Sequence, residues 1–243
     1  MGGGTLAIVP ARNEAGSIAG VVDEIRAFDP SFDVLVVDDA STDETPAIAA
    51  ARGAAVVRLP FNLGIGGAVQ TGFQYALEHG YETAVRLDGD GQHDPAELRK
   101  LLGPLARGEA DVVTGSRFAD DTDGYRPPLG RRLGIVFFAK LVSLLTRQRV
   151  TDTTSGFQAL NREGIALFAA DYPNDYPEVE ATVLVFKHRL RLIEVPVRMR
   201  ERSHGESSIG FFSSVYYMLK VTLSLFLAMV RKYTLPAEEA ASP

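Results

Sequence analysis

Residues 33–45 read Asp-Val-Leu-Val-Val-Asp-Asp-Ala-Ser-Thr-Asp-Glu-Thr, "DVLVVDDASTDET". An apolar, mostly β-branched run with no helical spacing, closed by acids at both ends, is a strand buried on both faces. Such runs belong to parallel sheets covered by helices on either side. The polar stretch behind it is a turn into a helix, because Ser, Thr and Asp side chains cap helix starts. A strand followed at once by a helix is one βα unit.

The same grammar repeats outward. Strands are predicted at 5–9, 55–59, 83–87 and 111–115, with helices at 15–28, 43–52, 66–79 and 94–107 between them. Repeated units of this length imply an α/β fold with a mostly parallel central sheet, right-handed crossovers and flanking helices. Ligands of such sheets bind beyond the carboxyl ends of the strands. After residue 116 the regularity fades. A mainly apolar helix is predicted at 129–145, strands within "TSGFQAL" and "LIEVPVRM", and a helix at 178–188 between those two. The expected organisation is one domain over 1–232, with a regular βα half over 1–116 and a less regular half over 117–232. Residues 233–243 read as a disordered tail.

Composition narrows the chemistry. The absence of cysteine excludes disulfides, zinc–thiolate sites and thiol nucleophiles. A net charge of −6 argues against a general nucleic-acid binder. The N-terminus shows no basic region ahead of a long apolar core, so no signal peptide is read there. Leu6 stands where a myristoylation signal needs Ser or Thr. A cytoplasmic protein is expected, peripheral at the inner face of the cell membrane. A homo-oligomer is left open.

Four strand ends carry polar motifs: "VPARNEAGSI", "VVDDASTDET", "RLDGDGQHDP" and "DVVTGSRF". In the third, Asp88 and Asp90 stand one residue apart between glycines, a pair that repels itself unless a hard divalent cation takes the oxygens. Each motif has a bland local reading as a cap or solvated turn. Two other motifs mislead. "LGIGGAVQTG" lacks the third glycine and the distal acid of a dinucleotide fingerprint, and reads better as a helix packed close to the sheet. "VLVVDDASTD" resembles a receiver-domain acidic pocket, but the second acidic motif follows the fourth strand and the fifth ends in Arg117 instead of lysine.

Taken in order, P-A-R-N-E, D-D-x-S-x-D, D-G-D-G-Q-H and G-S-R resemble family 2 glycosyltransferases of the GT-A fold. "DTTSGFQALNR" and "RSHGESSIG" are similar to the branch of dolichyl- and polyprenyl-phosphate sugar synthases. The resemblance implies that Pro10, Ala11, Arg12, Asn13 and Glu14 line the base and ribose of a UDP- or GDP-sugar donor, and that Asp39 hydrogen-bonds the base. It implies Asp88 and Gly89 beside the ribose, and Mg²⁺ or Mn²⁺ held by Asp90 with Asp88 and Gln92. "Arg202-x-x-Gly205-x-Ser207" resembles the branch's phosphate-closing pattern, with Ser208 where a basic residue is usual. Arg117, Arg131 and Arg202 are the expected catalytic cations, since arginine suits bidentate phosphate contacts.

A phosphate acceptor is already an anion and needs no strong base; a hydroxyl acceptor needs one. Asp152 is the expected residue at the acceptor, with Glu178 and Glu180 as alternatives. The partner is expected to be a lipid phosphate, or a glycan or small-molecule hydroxyl as the alternative. A nucleotidyltransferase or a non-catalytic sugar-nucleotide binder are readings of another class, and "PARNE" lacks the Gly-rich basic signature of the former. Ile209, Phe212, Tyr216, Leu219, Leu223, Phe226 and Val230 form an apolar helical face. Lys220 near its centre costs a bilayer span about 3 kcal/mol, so a helix lying in the interface is the better membrane reading, with an ordinary core or dimer helix as the alternative.

Overall fold

The computed structural model describes residues 4–119, 129–174, 177–200 and 222–223. Its frame is a seven-stranded sheet built from β1 (Thr5–Ala11), β2 (Asp33–Asp38), β3 (Ala55–Arg58), β4 (Thr83–Arg86), β5 (Val112–Ser116), β6 (Gln158–Asn161) and β7 (Leu192–Pro196). The order is β3-β2-β1-β4-β6-β5-β7. The β1, β2, β3 and β4 neighbours pair in parallel, as the βα grammar requires. The departure is β6, which runs antiparallel between β4 and β5. The fifth strand therefore does not sit beside the fourth.

Helices α1 (Ile18–Phe28), α2 (Thr45–Ala51), α3 (Gly64–Glu78), α4 (Leu98–Ala106), α6 (Arg162–Ala170) and α7 (Pro177–Lys187) flank the sheet, and α5 (Leu129–Thr146) packs on α7. One buried cluster joins α1 and α4 to one face, through Ile18, Val22, Ile25, Leu98 and Leu101 against Val9, Val36 and Val113. A second joins α3, α6 and α7 to the other, through Phe73, Phe168 and Leu184 against Ile8, Leu35 and Leu160. Both faces of the central strands are thus dry, which is why "VLVV" carries no alternation.

Several boundaries move for local reasons. The first helix begins at Ile18 because residues 14–17 form a turn closed on the Glu14 carbonyl. The helix predicted from residue 94 starts as a single 3₁₀ turn, Pro95–Glu97, capped by the Asp94 carboxylate. The strand read in "TSGFQAL" is confined to the β6 end. Helix α6 was not expected at all. It follows β6 without a loop, because the Asn161 side chain accepts from the Gly164 N–H and starts the helix on the strand's last residue.

The glycines of "LGIGGAVQTG" are packing devices. A Cβ on Gly72 would overlap Ile8 Cγ2 on β1, and one on Gly66 would overlap the Pro173 carbonyl. Small residues let α3 lie close to the sheet and keep its N-terminus beside the strand ends.

Asp111 fastens the far edge. Its carboxylate accepts from Asn161 Nδ2 at 3.0 Å, Arg191 Nη2 at 2.7 Å and the Arg191 N–H at 2.8 Å, joining the starts of β5 and β7 to the end of β6. These hydrogen bonds, led by Arg191, depress its pKa to about 2 from an ordinary 3.8. Its contribution is therefore complete above the ordinary value and is lost as pH falls toward about 2. Asp111→Asn is expected to cost about 1–3 kcal/mol at neutral pH. Urea unfolding at several pH values checks this, the difference between variant and wild type shrinking with acid.

The candidate donor cleft

Parallel registry brings the carboxyl ends of β1, β2 and β4 side by side, with Pro10 opposite Val37 and Ala11 opposite Asp38. The loops that follow are stitched together. The Asn13 N–H donates to Ser41 Oγ at 2.9 Å, the Thr42 N–H to Asn13 Oδ1 at 2.8 Å, and the Glu14 N–H to Thr45 Oγ1 at 2.8 Å. Asn13 takes a left-handed backbone (φ 56°), which asparagine tolerates better than most residues. Ser17 Oγ donates to the Gly89 carbonyl at 2.7 Å, tying the first loop to the acidic one. Asp39 accepts from the Leu63 N–H at 2.7 Å and the Gly64 N–H at 3.0 Å, and so anchors the start of α3.

Between these loops lies a cleft of about 540 Å³. Pro10, Ala11, Arg12, Glu14 and Asp39 line one part of it, and Asp88, Gly89 and Asp90 another. Asn62, Gly64, Ile65 and Ala68 from the α3 side, with Arg86 and Glu178, complete the wall. Among the described residues the sequence-predicted donor residues thus converge, except two. Asn13 spends its side chain on the loop tether, and Gln92 lies outside the lining, its Nε2 donating to the Arg200 carbonyl at 3.4 Å.

The acidic loop is held from several sides. A Cβ on Gly89 would sit 3.1 Å from the Pro10 carbonyl, and Gly91 is left-handed (φ 78°), so glycine lets the chain pass close to β1 and turn. Asp90, 8% exposed, accepts from the Gln92 N–H at 3.0 Å. The Asp88 N–H donates to His93 Nδ1 at 3.0 Å, and the buried imidazole stacks on Phe157 with centroids 4.8 Å apart. Burial holds the His93 pKa below its ordinary value, although Asp88 and Asp90 pull it upward. Because Nδ1 accepts from the Asp88 N–H, the ring proton belongs to Nε2, 3.7 Å from Asp88 Oδ2.

Beneath the loop is a group the motifs did not reveal. Arg86 closes β4 at 1% exposure. Its Nη1 donates to Tyr172 Oη at 2.9 Å, and its Nη2 to Glu178 Oε1 at 2.8 Å and Asp88 Oδ1 at 3.4 Å. Burial opposes its charge, but Tyr172, Glu178 and Asp88 outweigh that and hold the guanidinium protonated. Gly156 leaves the room, since a Cβ there would lie 2.8 Å from Nη2. An arginine ending an otherwise apolar strand, "TAVR", was the available signal.

Strand registry continues this polarity across the sheet. Arg86 pairs with Gln158, Gln158 with Thr114, and Thr114 with Glu194. Glu194 accepts from the Thr151 N–H at 2.7 Å and the Asp152 N–H at 2.8 Å, and burial raises its pKa. The row ends at a second buried cation. Arg117 Nε donates to Asp152 Oδ2 at 2.7 Å, Nη2 to Oδ1 at 2.8 Å and to Thr154 Oγ1 at 2.6 Å. Asp152 is 2% exposed. Burial acts to raise its pKa, but the hydrogen bonds and charge of Arg117 outweigh it and keep the carboxyl below the usual range. Both its oxygens are committed to that fork, so this geometry supports a positioning role for Asp152 and none as an open base.

Arg131 falls in the first turn of α5. Arg200 pairs with Glu24 at 2.7 Å and Asp94 at 3.1 Å. Arg202, Ser207 and the apolar face over 209–230, apart from 222–223, lie outside the described residues. Among the described residues no helix is long and apolar enough to cross a membrane, and no three Asp, Glu or His side chains converge on a ready-made metal cage. Mg²⁺ needs no such cage, because it commonly uses one or two carboxylates with substrate phosphates. Asp88 and Asp90 on the cleft wall fit that pattern.

Comparison with known proteins bears on the family and the fold. The glycosyl transferase family 2 model matches residues 6–167. An undecaprenyl-phosphate mannosyltransferase of Micrococcus luteus is 33% identical over 221 residues, 84% of this chain and 87% of that protein. A polyprenol monophosphomannose synthase of Mycolicibacterium smegmatis is 32% identical over 227 residues, 89% of this chain and 85% of the other. In three dimensions the chain resembles glucosyl-3-phosphoglycerate synthase from Mycobacterium tuberculosis, solved with Mn²⁺, UDP and phosphoglyceric acid. The TM-score is 0.71 at 23% identity over 95% of this chain and 80% of that one, a likeness of fold. The chain belongs to glycosyl transferase family 2 and is a glycosyltransferase of the GT-A fold.

Proposed function

We propose that the enzyme transfers a sugar from a UDP- or GDP-sugar to a polyprenyl phosphate, with inversion and with a divalent ion. The observation that carries the reading is the placement of Asp88 and Asp90 on one wall of a cleft whose other walls are the "PARNE" turn and Asp39. Arg12, Glu14 and Asp39 hold the nucleoside; Asp88 and Asp90 hold Mg²⁺ or Mn²⁺. When bound, the ion neutralises charge on the departing nucleoside diphosphate. Gln92 belongs to that loop and ties it to Arg200, whose N–H donates to the Gln92 carbonyl at 2.9 Å.

The acceptor half supports an anionic nucleophile. Asp152 is locked to Arg117, and Glu178 is paired with Arg86. A phosphate needs no base, and Arg117, Arg131 and Arg202 would gather and orient it. The named lipid-phosphate relatives support the same acceptor class. Helix α5 exposes Val136, Phe137 and Leu144 beside Lys140, an apolar, basic face suited to lying against an anionic lipid surface. A donor screen tests the reading. Nucleoside diphosphate release from UDP- and GDP-sugars is expected to require both the divalent ion and a polyprenyl phosphate. Equal release with a simple glycan hydroxyl, or in excess chelator, would contradict it.

A further inference from the structure

We propose that Glu178, held by the buried Arg86, reads the hydroxyl groups of the donor sugar, an inference that rests on the function proposed above. Glu178 stands at the start of α7, 92 residues from Arg86, yet its Oε1 takes a 2.8 Å bond from Nη2 and its side chain is 21% exposed on the cleft wall. Its Oε2 accepts from none of the described residues. The same Nη2 reaches Asp88 Oδ1 at 3.4 Å, so one guanidinium sets the positions of a carboxylate on the ion-bearing loop and a carboxylate on α7. Arg86 is itself fixed by Tyr172 and is 1% exposed.

A carboxylate locked in one rotamer beside the diphosphate site offers a preset acceptor to the ring attached to that diphosphate. Charge-assisted hydrogen bonds of this kind are stronger than neutral ones. A site built to bind a hydroxyl rejects analogues that misplace it, because its buried polar atoms are then left unmet. The ligand class is therefore a neutral hexose with a hydroxyl directed to α7. Glu178 is the specificity-determining side chain, and Arg86 is the positioning residue behind it.

The test titrates wild type, Glu178→Gln and Glu178→Ala, with Mn²⁺ present. The ligands are the bare nucleoside diphosphate, the UDP- or GDP-hexose selected by the donor screen, and its C2 and C4 epimers. Glutamine keeps an acceptor for Arg86, so a melting temperature near wild type guards against misfolding. Glu178→Ala is expected to leave nucleoside diphosphate affinity within about 2-fold, to weaken the nucleotide-hexose about 10–100-fold, and to flatten discrimination between epimers. Glu178→Gln is expected to fall between wild type and alanine. Equal loss for the diphosphate and the nucleotide-hexose would overturn the proposal in favour of a structural role. Intact hexose affinity with kcat lost, and with the acid limb of the pH profile gone, would overturn it in favour of a general base. A wild type that binds the diphosphate but no nucleotide-hexose would remove the proposed function as well.

Discussion

Asp90→Ala is expected to abolish divalent-ion-dependent donor binding and to lower kcat/KM by on the order of 10²–10³-fold, about 3–4 kcal/mol of lost transition-state stabilisation. The side chain is 8% exposed, and its Oδ1 is held by the Gln92 N–H at 3.0 Å, so it needs little ordering when the donor enters. In the proposed function its removal takes away a hard oxygen that would hold the divalent ion beside the leaving diphosphate. Asp88→Ala should be costlier to the fold, because Asp88 is also one of the acids facing the buried Arg86. Calorimetric titration of the nucleotide-sugar with Mn²⁺, and again with chelator, separates the outcomes. In wild type the chelator should weaken binding; in Asp90→Ala it should make no difference. Unchanged metal-dependent affinity in the variant would contradict the assignment.

The second large effect concerns the other buried pair. Asp152→Ala leaves the Arg117 guanidinium, 8% exposed as a side chain, without its bidentate partner. Breaking such a pair by removing one member costs about 3–5 kcal/mol. That is a large share of the roughly 5–15 kcal/mol that holds an ordinary domain together. Urea unfolding should show the loss directly. Asp152→Asn keeps the volume and gives up the charge, and should fall between. At temperatures where it is folded, its turnover at saturating donor should drop while donor affinity stays within about 2-fold, because the pair lies outside the donor cleft. A parallel fall in donor affinity would move Arg117 and Asp152 to the donor side.

The N-terminal half was legible because its signals are local. A dry parallel strand writes itself as "VLVV", and the residues just past it must lie at the carboxyl edge of the sheet. Pro10 to Glu14, Asp39 and Asp88 to Asp90 could therefore be placed together before any coordinates. The exceptions, Asn13 and Gln92, belong to the same loops but turn to neighbouring backbone, a choice made by side-chain direction that spacing does not encode. The C-terminal half was harder because its logic is long-range. Asn161 serves at once as strand end and helix cap, which hid α6 behind β6. The antiparallel entry of β6 puts Gln158 between Arg86 and Thr114, a neighbourhood no periodicity could announce. The arginine–carboxylate partnerships span 35 and 92 residues, so no local spacing announces that Arg117 occupies Asp152 or that Arg86 holds Glu178. Arg86 sat in plain view beside the acidic motif, but only the fold shows that it supports both Asp88 and Glu178.

The most direct measurement is anomalous diffraction from crystals of the wild-type enzyme soaked with MnCl₂ and UDP or GDP. The account predicts a manganese peak about 2.0–2.2 Å from an Asp90 carboxylate oxygen and in contact with the diphosphate, with the base between Arg12 and Asp39. A nucleotide seated in the cleft with no manganese at the Asp88–Asp90 loop would contradict it.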